Sequence, residues 1–108
     1  GCSVATTHTS GGDAVVAYLD HVQNYLGVIS VGRLAVATGG EPGAVDAAEG
    51  DARALGKKLV GALQDGYPDP KQEEEIAGNR EFFKDIVVEN RDFRPGDYER
   101  WVKLGWIT

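Results

Sequence analysis

Two short runs of small and β-branched residues, separated by one amphipathic helical pattern, set the strongest limit on the fold of this chain. The runs are Cys2 to Thr7 and Val28 to Val31, and apolar residues recur at three- and four-residue steps between about residues 13 and 26. A strand, a helix and a strand in this order form a crossover unit, which places two parallel strands in one sheet. The sequence therefore predicts an α/β fold that begins with this unit.

The rest of the chain predicts a loop and helices. Residues 33 to 46 are rich in glycine and predict a long ordered loop, in which functional residues are often found. Helical spacing then extends over three segments, which are Ala47 to Leu63, Lys71 to Asn90 and Pro95 to Leu104. The first of them contains Gly50, Gly56 and Gly61, which predict close packing against a neighbouring backbone.

Pro68 and Pro70 interrupt the helical pattern, because each proline forces the preceding residue away from helical geometry. We therefore expect residues 1–66 to form one unit and residues 67–108 to form a helical C-terminal extension. Trp101 and Trp106 in this extension need a surface to lie against, either in the same domain or on another subunit.

Charge and cysteine content exclude several functional classes. The chain has 11 basic and 17 acidic residues and a net charge of -6, which argues against a nucleic-acid partner. No apolar run has the roughly 20 residues that cross a bilayer, and no signal peptide is recognisable, so we expect a cytoplasmic protein without a membrane partner. Cys2 cannot form an internal disulfide, and with His8 and His21 it offers too few ligands for structural zinc.

The segment from Thr6 to Asp13 is the strongest candidate for a binding site. It follows a predicted parallel strand and precedes a helix, where ligands of open α/β sheets bind against glycines and free helix N–H groups. The alternative is a permissive strand-to-helix turn with capping hydroxyls, and the residues alone leave both open. His8 within this segment is an acid, a base or, more commonly, a simple hydrogen-bonding residue.

The other reactive side chains favour structural roles. His21 is expected to face solvent, and Cys2 to be a small core residue rather than a nucleophile. Ser10 lacks the flanking glycine pattern of a hydrolase nucleophile. The acidic run Glu73 to Glu75 is typical of a solvated helix start, with metal binding as a remote alternative.

The order of elements resembles the C-terminal half of the NADPH-dependent FMN reductase superfamily, which includes iron-sulfur flavoproteins and multimeric flavodoxin-like quinone reductases. The segments that carry the resemblance are Thr6 to Gly12, Tyr25 to Gly27, Val28 to Gly32, Thr38 to Gly40, Ala52 to Leu59, Phe82-Phe83, Val88 to Arg91, Pro95, Tyr98-Glu99, Trp101 and Gly105-Trp106. The resemblance covers most of the chain, but it is one of pattern and includes no diagnostic catalytic signature.

The resemblance implies a flavodoxin-like parallel sheet with flanking helices, of which this chain carries strands four and five plus a helical tail. It implies an FMN-dependent NAD(P)H oxidoreductase that acts on a quinone, a free flavin or an iron-sulfur acceptor. The implied flavin-contacting residues are Thr7, His8, Thr9, Ser10, Gly11 and Gly12. No catalytic residue and no metal ligand is assigned.

Two alternatives remain open at this point. In one, Ser3 to Asp13 is strand one of a flavodoxin and the hydroxyl-rich loop binds the FMN phosphate. In the other, the chain is a non-catalytic assembly module whose helical tail embraces a partner subunit.

We also expect the strand at Cys2 to have one edge unpaired within this chain. A missing N-terminal half or another copy in a homo-oligomer would then complete it, with Trp101 and Trp106 packed on that neighbour.

Overall fold

One strand-helix-strand unit followed by helices forms the protein, in a computed structural model that describes residues 1–108. Strands β1 (Ser3–Thr7) and β2 (Arg33–Ala37) are joined by helix α1 (Gly12–Tyr25). The strands are parallel and in register, with Ser3 opposite Arg33 and Thr7 opposite Ala37. The remaining helices are α2 (Ala44–Ala47), α3 (Glu49–Asp65), α4 (Pro70–Glu89) and α5 (Pro95–Lys103).

The expected flavodoxin-like fold, with the chain carrying its strands four and five, is wrong. Helices contain 59% of the residues, and the sheet consists of two strands only. The physical reason is that apolar residues after residue 47 recur at helical spacing, so that no further β-branched run is available for pairing. The parallel crossover unit itself is confirmed.

The second strand lies five residues later than the sequence predicts. Val28 to Val31 is not a strand, although its backbone bonds to Gly1: the Val31 N–H donates to the Gly1 carbonyl at 2.8 Å, and the Gly1 amine donates to the Ile29 carbonyl at 2.7 Å. The opposite edge of the segment bonds to side chains. Gln72 of α4 accepts a hydrogen bond from the Ser30 N–H at 2.8 Å and donates one to the Ser30 carbonyl at 2.9 Å. Asn24 donates to the Val28 carbonyl at 3.3 Å. Three residues lead from Ser30 to Arg33 but only two from Gly1 to Ser3, so an extra residue interrupts the pairing and the regular ladder begins at Arg33, within the segment predicted as a loop.

Local sequence signals place the helices well. α1 and α4 differ from the predicted spans by one residue at each end, and α4 and α5 both have proline in their first turn. The side chain of Asp69 caps α4 by accepting a hydrogen bond from Gln72 N–H at 3.1 Å. The prediction for the three α3 glycines is wrong, since a Cβ at Gly50, Gly56 or Gly61 would meet no atom within 4 Å.

A polar cluster (Ser3, Asp20, Gln23, Ser30 and Gln72) ties α1 to β1, to the segment before β2 and to α4. One Asp20 carboxylate oxygen accepts hydrogen bonds from the Ser3 hydroxyl at 3.3 Å and the Ser30 hydroxyl at 2.7 Å. Gln23 donates to the Ser3 hydroxyl at 2.6 Å. Ser3 and Ser30 are buried, so this cluster supplies the partners that buried hydroxyls require.

The helical tail packs on the chain itself. The rings of Trp101 and Trp106 meet edge to face at a centroid distance of 5.3 Å, and the Arg80 guanidinium lies 4.4 Å from the Trp106 centroid. Tyr25 and Phe83 connect α1 to α4 with a centroid distance of 6.1 Å. Both tryptophans therefore have contacts within their own chain.

The chain exposes far more surface than a compact monomer of the same mass. Its accessible surface is 7652 Å², whereas a compact monomer of 11.5 kDa exposes about 5,800 Å². Its radius of gyration is 18.0 Å, against about 13 Å for a compact chain of this length. Only 7 of 108 residues are buried, so much of the apolar surface still faces solvent.

No helix combines the length and the apolar character needed to cross a membrane.

We predict that Gln72→Ala destabilises the protein by about 2 kcal/mol, because it leaves the backbone N–H of buried Ser30 without its partner. Denaturant unfolding followed by circular dichroism measures the effect. Glu73→Ala, an exposed neighbour on the same helix, is the matched control and should be nearly neutral. Equal unfolding midpoints for both variants would contradict the role assigned to Gln72.

We predict that the contribution of Asp69 to stability is lost in acid. Hydrogen bonds from the side chain and the backbone of Gln72 lower the pKa of Asp69 below its ordinary value of 3.8. A lowered folded-state pKa stabilises the protein above the unfolded-state value, and this stabilisation disappears as the pH falls through the folded-state pKa. Asp69→Asn keeps a capping oxygen without the charge and is the comparison variant.

The unfolding free energies of the wild type and Asp69→Asn are compared in steps from about pH 6 down to about pH 2. We expect the advantage of the wild type to be constant above pH 3.8 and to shrink below it. A difference that stays constant through the acid range would show that the charge on Asp69 contributes nothing.

Candidate functional site

The carboxyl ends of β1 and β2 both lead into loops rich in hydroxyls and glycine. β1 ends at Thr7 and is followed by residues 8–11 before α1 begins at Gly12. β2 ends at Ala37 and is followed by Thr38, Gly39 and Gly40. Because the strands are parallel and in register, both loops leave the sheet at the same edge. This strand-end surface, residues 7–12 with residues 38–40, is the candidate site.

Backbone hydrogen bonds continue from the sheet into the two loops. The Thr38 N–H donates to the Thr7 carbonyl at 2.8 Å, and the Thr38 hydroxyl donates to the same oxygen at 3.2 Å. The Gly39 N–H donates to the His8 carbonyl at 2.5 Å. The loop after β2 is thereby fixed against the loop after β1, so their residues form one continuous surface.

The imidazole of His8 lies directly against Gly40. A Cβ built on Gly40 would lie 3.3 Å from His8 Cε1, which is closer than an ordinary van der Waals contact. Gly40 also has a φ of +72°, in the left-handed region that favours glycine. The absence of a side chain at residue 40 therefore leaves room for the exposed His8 ring at the centre of the surface.

The structure places all six predicted site residues at this edge, but they differ in how far they are exposed. His8, Thr9, Ser10 and Gly11 are exposed, whereas Thr7 is half-buried and Gly12 is buried. A Cβ on Gly12 would lie 3.0 Å from that of Ala35, so Gly12 allows α1 to pack closely on the sheet. Gly12 therefore contributes to the surface through its backbone only.

The N-terminus of α1 adds backbone donors to this surface. Its N-cap is Gly11, which offers no side chain, and no side-chain hydrogen bond caps the helix. The first N–H groups of an α-helix have no partner within the helix and carry a partial positive charge. The surface thus combines hydroxyls, one imidazole and free amide donors, which suit a neutral or weakly anionic polar ligand.

Thr38, Gly39 and Gly40 were not assigned to the site from the sequence. The Thr-Gly-Gly signal was visible there, but the second strand was predicted at Val28 to Val31, so this loop did not follow a strand end. The observed end of β2 at Ala37 places these three residues beside residues 7–12. A correct position for the second strand would have identified them.

The other reactive side chains lie away from this surface. His21 Nδ1 is 3.1 Å from Glu75 Oε1, and its ring meets Tyr25 edge to face. Cys2 is a free, half-buried thiol. No three His, Cys, Asp or Glu side chains are grouped as they would be to hold a metal ion.

A polar cleft of about 520 Å³ lies at the opposite end of the strands, near Ser30 and Arg33. None of the six predicted site residues lines it. The Asp20 carboxylate in its wall is 3.5 Å from the Arg33 guanidinium, and Gln72 fills part of it with hydrogen bonds to Ser30. These contacts join α1, β2 and α4, so the polar side chains that line the cleft have a structural role.

A scan against protein-family models, a search of curated proteins and a search of solved structures each find no match to this chain. The resemblance to the FMN reductase superfamily therefore stays a prediction.

We predict that Gly40→Ala displaces the His8 ring, because the new methyl group would press on Cε1. Gly43→Ala is the matched control, since Gly43 has a similar φ of +88° but no atom within 4 Å of its Cβ position. Both variants should lose about 1 kcal/mol of stability from backbone strain. Only Gly40→Ala should shift the imidazole proton signals of His8 in an NMR spectrum. Unchanged His8 signals in Gly40→Ala would contradict the contact.

Proposed function

We propose that the chain binds FMN at the strand-end surface and belongs to an FMN-dependent NAD(P)H oxidoreductase. The reaction would pass a hydride from the nicotinamide to the flavin, and electrons onward to a quinone, a free flavin or an iron-sulfur acceptor. The observation that carries the proposal is the joining of the two strand-end loops by hydrogen bonds around His8. The proposal does not depend on a flavodoxin-like fold.

The donors of the strand-end surface suit the polar edge of an isoalloxazine ring. Thr9 and Ser10 expose hydroxyls, and the uncapped start of α1 exposes backbone N–H groups. Donors fixed around a flavin stabilise the negative charge that the ring acquires on reduction. The role of this chain would be to orient the ring and to favour its reduced form, while FMN supplies the hydride chemistry.

The charges in the loop favour contact with the isoalloxazine ring of FMN rather than with its phosphate. Residues 7–12 contain no lysine or arginine, and the carboxylate of Asp13 lies in the first turn of α1. This negative charge competes for the same helix N-terminus and would repel a phosphate dianion. We therefore prefer a ring-contacting loop to the alternative in which the loop binds the phosphate.

A non-catalytic assembly module is the second candidate function. The observation that favours it is the unusual exposure of large apolar side chains. They include Leu26, Leu63, Phe82 and Phe93, which are more than half exposed. Exposed apolar surface of this extent is typical of proteins that bury it against a partner. A homo-oligomer is the partner arrangement that we propose for this function.

Titration with FMN distinguishes the two functions. If the flavin ring binds at the strand-end surface, the protein should quench FMN fluorescence in a saturable manner. His8→Ala should weaken binding roughly fivefold, the equivalent of one lost hydrogen bond. His21→Ala, which removes an imidazole remote from the surface, should bind FMN as the wild type does.

Circular dichroism of both variants confirms that they are folded. Wild-type protein that fails to quench FMN fluorescence would rule out flavin binding by this chain and leave the assembly function. Equal weakening by the two histidine variants would place the flavin elsewhere on the molecule.

A further inference from the structure

We propose that two copies of this chain form a dimer in which β1 of one copy pairs antiparallel with β1 of the other. The two-fold axis would pass beside Ala5, and the two strand pairs would join into one four-stranded sheet. This inference concerns assembly and holds whether or not the chain binds FMN.

The outer edge of β1 is unpaired and unprotected. β1 contacts β2 and α1 and no other helix or strand. The Ser3 N–H donates to Gly32, and the Thr7 carbonyl accepts from Thr38, so the alternate residues Val4 and Thr6 direct their backbone groups to the open edge. The strand contains no proline and no charged residue, the usual means by which proteins prevent edge pairing.

The sequence of β1 is complementary to itself in one register. With Ala5 opposite Ala5 of the second copy, Val4 lies opposite Thr6 of that copy, and Thr6 lies opposite its Val4. These are the residues whose N–H and carbonyl groups are free, so each pair forms two backbone hydrogen bonds and the dimer gains four. Because the strand is uncharged, two chains of net charge -6 can meet here without a like-charge contact between the strands.

An apolar row on α1 borders the same edge. Val15, Leu19, Val22 and Leu26 recur at three- and four-residue steps. The opposite side of α1 holds His21 and Asn24, which bond to α4. Leu19 and Val22 are half-buried, and Leu26, although 76% exposed, borders a pocket formed with α4 and α5. Val15 is 45% exposed, so the uncovered part of the row lies at the start of α1.

The distance between the two copies of α1 in the proposed dimer would let the two apolar rows pack together. α1 packs against β1 and β2 equally, so it lies above the midline of the strand pair. A two-fold copy would place its own α1 two strand spacings away, about 10 Å, which is an ordinary distance between packed helices. The two apolar rows would then face each other above the joined strands.

The chain as a whole exposes more excess surface than a standard interface buries. Each chain exposes about 1,900 Å² more than a compact monomer of its mass. A standard protein interface buries about 800 Å² on each partner. The β1 edge and the α1 row would bury part of this excess in the dimer.

Sedimentation equilibrium over a range of concentrations measures the mass and the dissociation constant of the dimer. We expect about twice the 11.5 kDa of one chain for the wild type. Thr6→Pro removes an N–H that points to the open edge but is not bonded to β2, so it should raise the dissociation constant at least about tenfold. Thr6→Val keeps the N–H and a β-branched side chain, and it should remain dimeric.

A second pair of variants tests the helix row. Val15→Glu would bring two carboxylates together across the axis and should also weaken the dimer about tenfold or more. Ala14→Glu adds the same charge on an exposed position outside the row and should leave the dimer intact. Circular dichroism checks that each variant is folded, so that a loss of association cannot come from unfolding.

A cysteine pair tests the register. In a Cys2→Ser background, Ala5→Cys should form an intermolecular disulfide, because residues opposite each other in a non-hydrogen-bonded pair have Cα atoms about 4.5 Å apart. Thr6→Cys in the same background should not, since its equivalent is a diagonal neighbour about 7 to 8 Å away or more. A monomeric wild type, a dimer insensitive to Thr6→Pro and Val15→Glu, or cross-linking through Thr6→Cys alone would each overturn the proposal.

Discussion

The two hydrogen bonds between the Gln72 side chain and the backbone of Ser30 hold the two parts of this protein together. They join α4, from the helical extension, to the segment that leads into β2. Gln72 also accepts a hydrogen bond from Asn24 at 2.9 Å and so reaches α1. One amide side chain thus fixes three elements, and a side chain without both a donor and an acceptor could not make the same set of contacts.

The polar character of this junction explains the small apolar core. Only Val16, Val31 and Ile107 are buried apolar residues, while Ser3, Asn24 and Ser30 are buried polar ones. Hydrogen bonds within the polar cluster satisfy these groups but add little net stability compared with apolar burial. A two-stranded sheet with one covering helix therefore remains a marginal unit, and its exposed edge and apolar row are where additional stability can be gained.

The candidate site depends on the same crossover unit. Parallel strands in register deliver both of their following loops to one edge, so Thr7 and Thr38 become neighbours although 31 residues separate them. The hydrogen bonds of Thr38 and Gly39 then hold the second loop against His8. The open edge of β1 runs alongside this surface, so a proposed second copy would lie next to the proposed flavin position without using its residues.

The sequence by itself determined the features that depend on neighbouring residues. Helical spacing and prolines in the first turn defined α1, α4 and α5, and the loop from Thr7 to Gly12 was found because it lies between a β-branched run and a helix. Only the tertiary structure decided the position of the second strand and the extent of the sheet. The physical reason is the long-range pairing around Gly1, which bonds to Ile29 and Val31. Three residues lead from Ser30 to Arg33 but only two from Gly1 to Ser3, so an extra residue interrupts the pairing and the regular ladder begins at Arg33. This pairing placed β2 at Arg33–Ala37 and brought Thr38 to Gly40 into the candidate site, while the helical spacing after residue 47 left a two-stranded sheet in place of a flavodoxin-like one.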